Sequence, residues 1–171
     1  MSVSMYRLSI PVFIRGLNAV AALIDKAESH AAEKNIPLET LFDARLAPDM
    51  LPFAGQIQSM SDTAKGLVAR LTDIPAPSFP DDEKTFAELR LRIGKTIDFL
   101  ESVGRDAIDG SETKAITRSF GGKEKTFSGE DYLLTFALPN FYFHVTTAYD
   151  ILRNQGVALK KIDYLGSYDA I

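Results

Sequence analysis

Two histidines, His30 and His144, are the only imidazoles of a chain that has no cysteine. Without thiols, this chain can form no disulfide, thiolate metal site or cysteine nucleophile. His144 lies in a stretch where Leu133, Ala137, Asn140, His144, Thr147 and Ile151 recur at spacings of three and four, which sets them along one helical face. That face is apolar except at its middle, where Asn140 and His144 stand one turn apart. An imidazole so placed either bonds a neighbour as part of the core or meets a ligand. A polar pocket would gather His144, Asn140 and Thr147 with Ser61 of the second helix. His30, among Ser29, Ala31 and Glu33, reads as a solvated residue favoured near a helix C-terminus by the helix dipole.

A metal centre between helices needs about three converging histidines or carboxylates. No HxxxH or ExxH spacing occurs. The carboxylate placed to approach the core from the second helix is Asp62, with Gln58 one turn earlier, so His144, Asp62 and an amide would hold a divalent ion weakly. The other reading of Gln58, Asp62 and Lys65 is a solvated face with a salt-bridge pair. No serine lies in a nucleophile-elbow context, and Gly121-Gly122-Lys123 is no phosphate loop, because no strand-to-helix switch carries it.

Four long helices must position these groups. The first runs from Ser4 to about Glu33 with Tyr6, Ile10, Phe13, Leu17, Val20, Ile24 and Ala27 on its stripe; Pro11 either bends it or marks its true start. A short helical piece after Pro37 packs back through Leu38, Leu41 and Phe42. The second spans about Pro48 to Leu71. The proline-rich TDIPAPSFPDD is an extended surface connection. Thr85 and Glu88 have capping-box spacing and open a third helix ending near Gly104. Alternation over Thr113–Phe120 and Lys123–Phe127 around two glycines predicts a β-hairpin. The fourth helix runs from Ser128, with Asp131 three residues on, to Gly156, and Pro139 should bend it by freeing the Thr135 carbonyl. The tail after Gly156 is expected to lie against the bundle.

At 171 residues, 46% of them apolar and 25% charged, the chain is expected to be one domain over residues 1–171 with a sizeable core. A formal charge of −4 gives no drive toward nucleic acid. The N-terminus is not a secretory signal, and no run is expected to reach the length of about 20 apolar residues that spans a bilayer; a cytoplasmic location is expected on that basis. Phe136, Phe141, Tyr142, Phe143 and Tyr149 occupy more than one side of the fourth helix, which predicts a homodimer contact.

The segments FALPNFYFHVTTAYDILRNQGVALKKIDYLG, MLPFAGQIQSMSDTAKGLVARL and GGKEKTFSGEDYLL resemble a bacterial and fungal family catalogued as a domain of unknown function, within the DinB and YfiT-like superfamily. The resemblance implies an all-α four-helix bundle, frequent dimers and, in many members, a divalent metal held by one histidine of the second helix and two of the fourth. Some members are thiol-dependent transferases or hydrolases. Here His144 matches one fourth-helix ligand, while Ala148 and Asn140 stand one turn away, and Gln56, Gln58 or Asp62 occupies the second-helix region. Three readings result: a DinB-like bundle with a degenerate metal site and a small-molecule pocket at His144; a transferase or hydrolase using zinc, nickel or iron; and a non-catalytic dimeric interaction protein.

Overall fold

The computed structural model describes residues 3–166; residues 167–171 of the tail lie outside the described residues. Helix α1 (Met5–Lys34) is followed by α2 (Leu38–Phe42), α3 (Phe53–Leu71), α4 (Phe86–Glu101) and α5 (Arg105–Ile108). The hairpin β1 (Ile116–Phe120) and β2 (Lys123–Phe127) leads to α6 (Gly129–Tyr132), a π-helical turn (Leu133–Ala137), α7 (Leu138–Asn154) and α8 (Lys161–Leu165). Helices α1, α4, α3 and α7 form a four-helix bundle in which α3 packs on α4 and α7, and α1 on the same two.

Helix α1 runs unbroken through Pro11, from an N-cap at Ser4 to the left-handed Asn35. Its length and composition, with a mean hydropathy of 1.5 over 18 residues, would suffice to cross a membrane, contrary to the sequence expectation. In the fold, half of that window is buried, with Phe13, Leu17, Val20 and Ile24 in the bundle core. Gly16 permits the closest approach to α7: an added Cβ would lie 2.5 Å from the Phe141 ring.

Helix α3 begins at Phe53, five residues later than Pro48. Pro52 is its extended N-cap, and a proline disfavours helical geometry in the residue before it, so the two prolines keep 48–51 out of the helix. The capping box at Thr85 opens α4 as expected, with Glu88 N–H donating to the Thr85 hydroxyl and the Glu88 carboxylate accepting from Thr85 N–H. Gly121 and Gly122 both have positive φ, 56° and 80°, as a tight two-residue hairpin turn requires. Strand β1 starts at Ile116 rather than Thr113. Helix α8 packs on α1, so the described part of the tail does lie against the bundle.

The fourth long segment departs most from a regular helix. Leu138 N–H donates to the Leu133 carbonyl, five residues back, directly before Pro139, which has no N–H to continue an α pattern. A π turn holds one more residue than an α turn and rotates the succeeding turns by about 100°. The buried stripe accordingly passes from Leu133 and Ala137 to Phe141, Val145, Ala148 and Leu152. Thr147 and Ile151 of the predicted face are buried as well, so the displacement shows at Asn140 and His144, whose places on the stripe are taken by Phe141 and Val145. Asn140 and His144 are therefore half-buried on the flank of the stripe, not at its centre.

Candidate functional site

The seam between α3 and α7 is where His144 and Asn140 meet the second long helix. Gln56 is 1% exposed, and its Nε2 donates to the Leu51 carbonyl at 2.9 Å. That bond orients the amide, so the group facing the ring is an oxygen, Gln56 Oε1, 2.8 Å from His144 Nδ1. An oxygen acceptor there requires the proton of the neutral imidazole to sit on Nδ1, leaving the lone pair on Nε2. Burial pushes the His144 pKa below its ordinary value of 6.5, because desolvation disfavours the cation. Among the described residues no protein group reaches Nε2.

Asn140 is oriented by a hydroxyl of α3 in the same way. Thr63 donates its hydroxyl to the Ser59 carbonyl at 2.8 Å, so its oxygen accepts the 2.7 Å bond from Asn140 Nδ2. Asn140 Oδ1 then has no protein donor among the described residues. Two acceptors, His144 Nε2 and Asn140 Oδ1, thus sit one turn apart on α7. Beside them the exposed Phe143 ring stands edge-on to the imidazole, centroids 5.4 Å apart. Gln56 and Thr63 are seven residues apart and share one face of α3. Of the two, Gln56 is among the three residues that the family resemblance sets in the second-helix region, whereas the sequence does not single out Thr63, because the seven-residue recurrence is visible only once α7 is known to face it.

The remaining predicted site residues lie elsewhere. The Thr147 hydroxyl donates back to the Phe143 carbonyl. Ser61 is buried against Thr96 of α4, with hydroxyl oxygens 2.8 Å apart, and Thr96 donates onward to the Arg92 carbonyl. Gln58 donates to Glu83. Asp62 pairs with Arg92 at 2.8 Å and with Lys65 at 2.9 Å, so the salt-bridged face is what forms. Residues 58, 61, 62 and 65 face α4 and the connection before it, across the helix from Gln56 and Thr63. The predicted convergence of Ser61, Asp62 and Gln58 on His144 does not occur.

Arg92 organises that second face and was also missed. Its spacing from Leu89 and Thr96 puts a guanidinium on an apolar stripe, which requires anionic partners, and the Asp81–Asp82–Glu83 run was the available signal. At 2% exposure it pairs with Asp62, Asp81 and Glu83 and donates to the Pro80 carbonyl. The Phe79 ring lies under both Lys65 and Arg92, and Lys65 also holds the Pro77 carbonyl. Burial pushes the Glu83 carboxyl up, but hydrogen bonds from Gln58 and Arg92 outweigh it and hold the pKa below 4.5. These bonds clasp the 73–84 connection onto the bundle.

Neither face fits a metal. Among the described residues the seam offers one open imidazole nitrogen, His144 Nε2, and one neutral amide oxygen, Asn140 Oδ1; both polar atoms of the Gln56 amide are engaged, and Asp62 is on the other side of α3 with two cations. Among the described residues no group of three or more histidines and carboxylates converges. His30 sits apart, partly exposed, beside Gly156.

The aromatic residues that suggested a dimer are largely covered by the chain itself. Phe141 is core, packed edge-to-face on Phe13 at 4.7 Å. Phe136 stacks on Tyr132 and meets Phe120 of the hairpin, and Tyr149 meets Tyr164 of α8. Phe143, 55% exposed, is left open.

A bundle of four long helices with a hairpin before the last of them, and an α3/α7 seam carrying one histidine, defines a DinB-like protein. The family model described as "Domain of unknown function (DUF1993)" matches residues 5–165, and the chain belongs to that family. It is similar to the crystal structure of a DinB family member from Shewanella denitrificans, with 38% identity and a TM-score of 0.88 over 97% of this chain and 94% of that one. No curated protein matches the chain in sequence.

Proposed function

We propose that this protein is a metal-independent binding member of the DinB-like class, and that the α3/α7 seam takes a small molecule carrying hydrogen-bond donors. The observation that carries the reading is the Gln56–His144 bond, which leaves Nε2 as an acceptor on a neutral ring. Asn140 Oδ1 supplies a second acceptor one turn away, and Phe143 supplies an apolar wall. A ligand with two donors, such as an amide, amine or diol, and a flat apolar side is complementary to that set. The metal-dependent transferase or hydrolase reading loses support because two of the three donors it needs are absent or already bonded.

A fragment screen by ligand-observed NMR, run on wild type and His144→Phe, tests the reading. Donor-bearing fragments should bind wild type and be lost in the variant, which keeps an aromatic ring of similar bulk and should melt cooperatively. Hits that persist in His144→Phe would contradict the proposal. So would roughly one equivalent of a divalent metal in protein purified without a metal-affinity tag and lost on treatment with chelator.

A further inference from the structure

The hairpin lies apart from the α3/α7 seam and has two chemically different faces. Its register pairs Ile116 with Phe127, Arg118 with Lys125 and Phe120 with Lys123. Cross-strand partners share a face and alternate residues switch faces. One face therefore carries Arg118, Lys123 and Lys125 together with Phe120 and Phe127, and the other carries Thr117, Ser119, Glu124 and Thr126. The cationic face is the inner one: Ile116 is buried, and Phe120 and Phe127 meet Phe136 and Tyr132 of the helical segment. Between hairpin and helix lies a groove of about 590 Å³ lined by Phe120, Phe127, Phe136, Lys123, Lys125, Thr135 and the rim residue Glu124.

Like charges placed directly opposite in an antiparallel pair are destabilising, yet Arg118 faces Lys125. None of Arg118, Lys123 and Lys125 forms an ion pair among the described residues. Two of them lie over ring faces: Arg118, which also donates to the Tyr132 hydroxyl, is 4.9 Å from the Phe136 centroid, and Lys125 is 4.7 Å from that of Phe127. In a chain of net charge −4, three cations on one aromatic-lined face, against the single carboxylate of Glu124 at the rim, make that face locally positive. We infer that this groove binds a small aromatic anion, its ring system against Phe120, Phe127 and Phe136 and its carboxylate, sulfonate or phosphate at Lys123 and Lys125, with Arg118 adding positive charge from behind the Phe136 ring. The inference stands apart from the α3/α7 seam and does not depend on it.

The probe is 8-anilinonaphthalene-1-sulfonate, titrated into the full chain by fluorescence, with uncharged N-phenyl-1-naphthylamine as its partner. Saturable binding of the anion is expected, weakening with salt and at least about tenfold tighter than the uncharged dye. Lys125→Glu and Phe120→Ala should each weaken the anion about tenfold, and Lys34→Glu, on α1, should leave it unchanged. Lys125→Glu sets an acid opposite Arg118, so its melting temperature should hold or rise while binding weakens. A residue that merely holds the hairpin together would show the two falling together. Equal affinity for the uncharged dye, unchanged binding in Lys125→Glu, no saturable site, or binding only to phosphatidylglycerol vesicles would each overturn the inference.

Discussion

Replacing Gln56 by leucine removes the group that orients His144 while keeping a side chain of similar length on α3. Two hydrogen bonds go, at 2.9 Å to the Leu51 carbonyl and 2.8 Å to His144 Nδ1. Leu51 is 47% exposed, so water can take over its carbonyl and that loss is small. The imidazole is half-buried, and stranding its Nδ1–H costs about 1–3 kcal/mol, partly offset by the apolar leucine, for a net of about 1–2 kcal/mol. In a chain of this size that lowers Tm by roughly 2–8 °C. The double variant Gln56→Leu/His144→Phe separates this account from simple loss of packing, because replacing both partners by apolar groups leaves no donor unsatisfied. Thermal and urea unfolding of the four proteins in the cycle should show the double variant more stable than the sum of the singles. Strict additivity would refute the hydrogen-bond reasoning.

A histidine whose folded pKa lies below 6.5 leaves the unfolded chain to take up the proton first, so stability should fall as pH drops through 6.5 and level off below the folded pKa. His144→Gln should abolish that phase, measured by urea midpoint between pH 8 and 5, and leave the later acid loss that begins below 4.5 with Glu83. Arg92→Met removes the cation from Glu83, whose side chain is 10% exposed. Breaking a buried pair costs about 3–5 kcal/mol, and the half-exposed Asp62 and Asp81 bring the expectation to about 3 kcal/mol, with faster proteolysis within residues 73–84. Gly16→Ala drives a methyl into the Phe141 ring and should cost about 1–3 kcal/mol. Adding Phe141→Leu should recover part of that stability, and failure to do so would place the contact elsewhere.

The helices and the hairpin are legible in the sequence because their signals are local: apolar stripes, the Thr85–Glu88 box, and two glycines that supply positive φ. What the sequence concealed depends on tertiary context. Pro139 announces a disturbance, but whether the chain answers with a bend or with an extra residue in the turn is decided by packing. The one-residue difference moved His144 from the centre of the stripe to its flank. The partners of Ser61, Asp62 and Gln58 depend on which face of α3 meets α4, and one helix read alone does not reveal that. The family resemblance left Gln56, Gln58 and Asp62 as alternatives, and only the packing of α3 on α7 selects Gln56 as the partner of His144, 88 positions away. Arg92 is the exception: a guanidinium on an apolar stripe, with three acids shortly before it, is a local signal that the sequence does carry.

The seam functions as an acceptor only if the His144 proton resides on Nδ1. Long-range ¹H–¹⁵N correlation of the imidazole in the wild-type protein near neutral pH measures this directly. A single neutral tautomer is expected, with Nδ1 protonated and Nε2 bare. A ring protonated on Nε2, an exchanging mixture of both tautomers, or an imidazolium at that pH would contradict it.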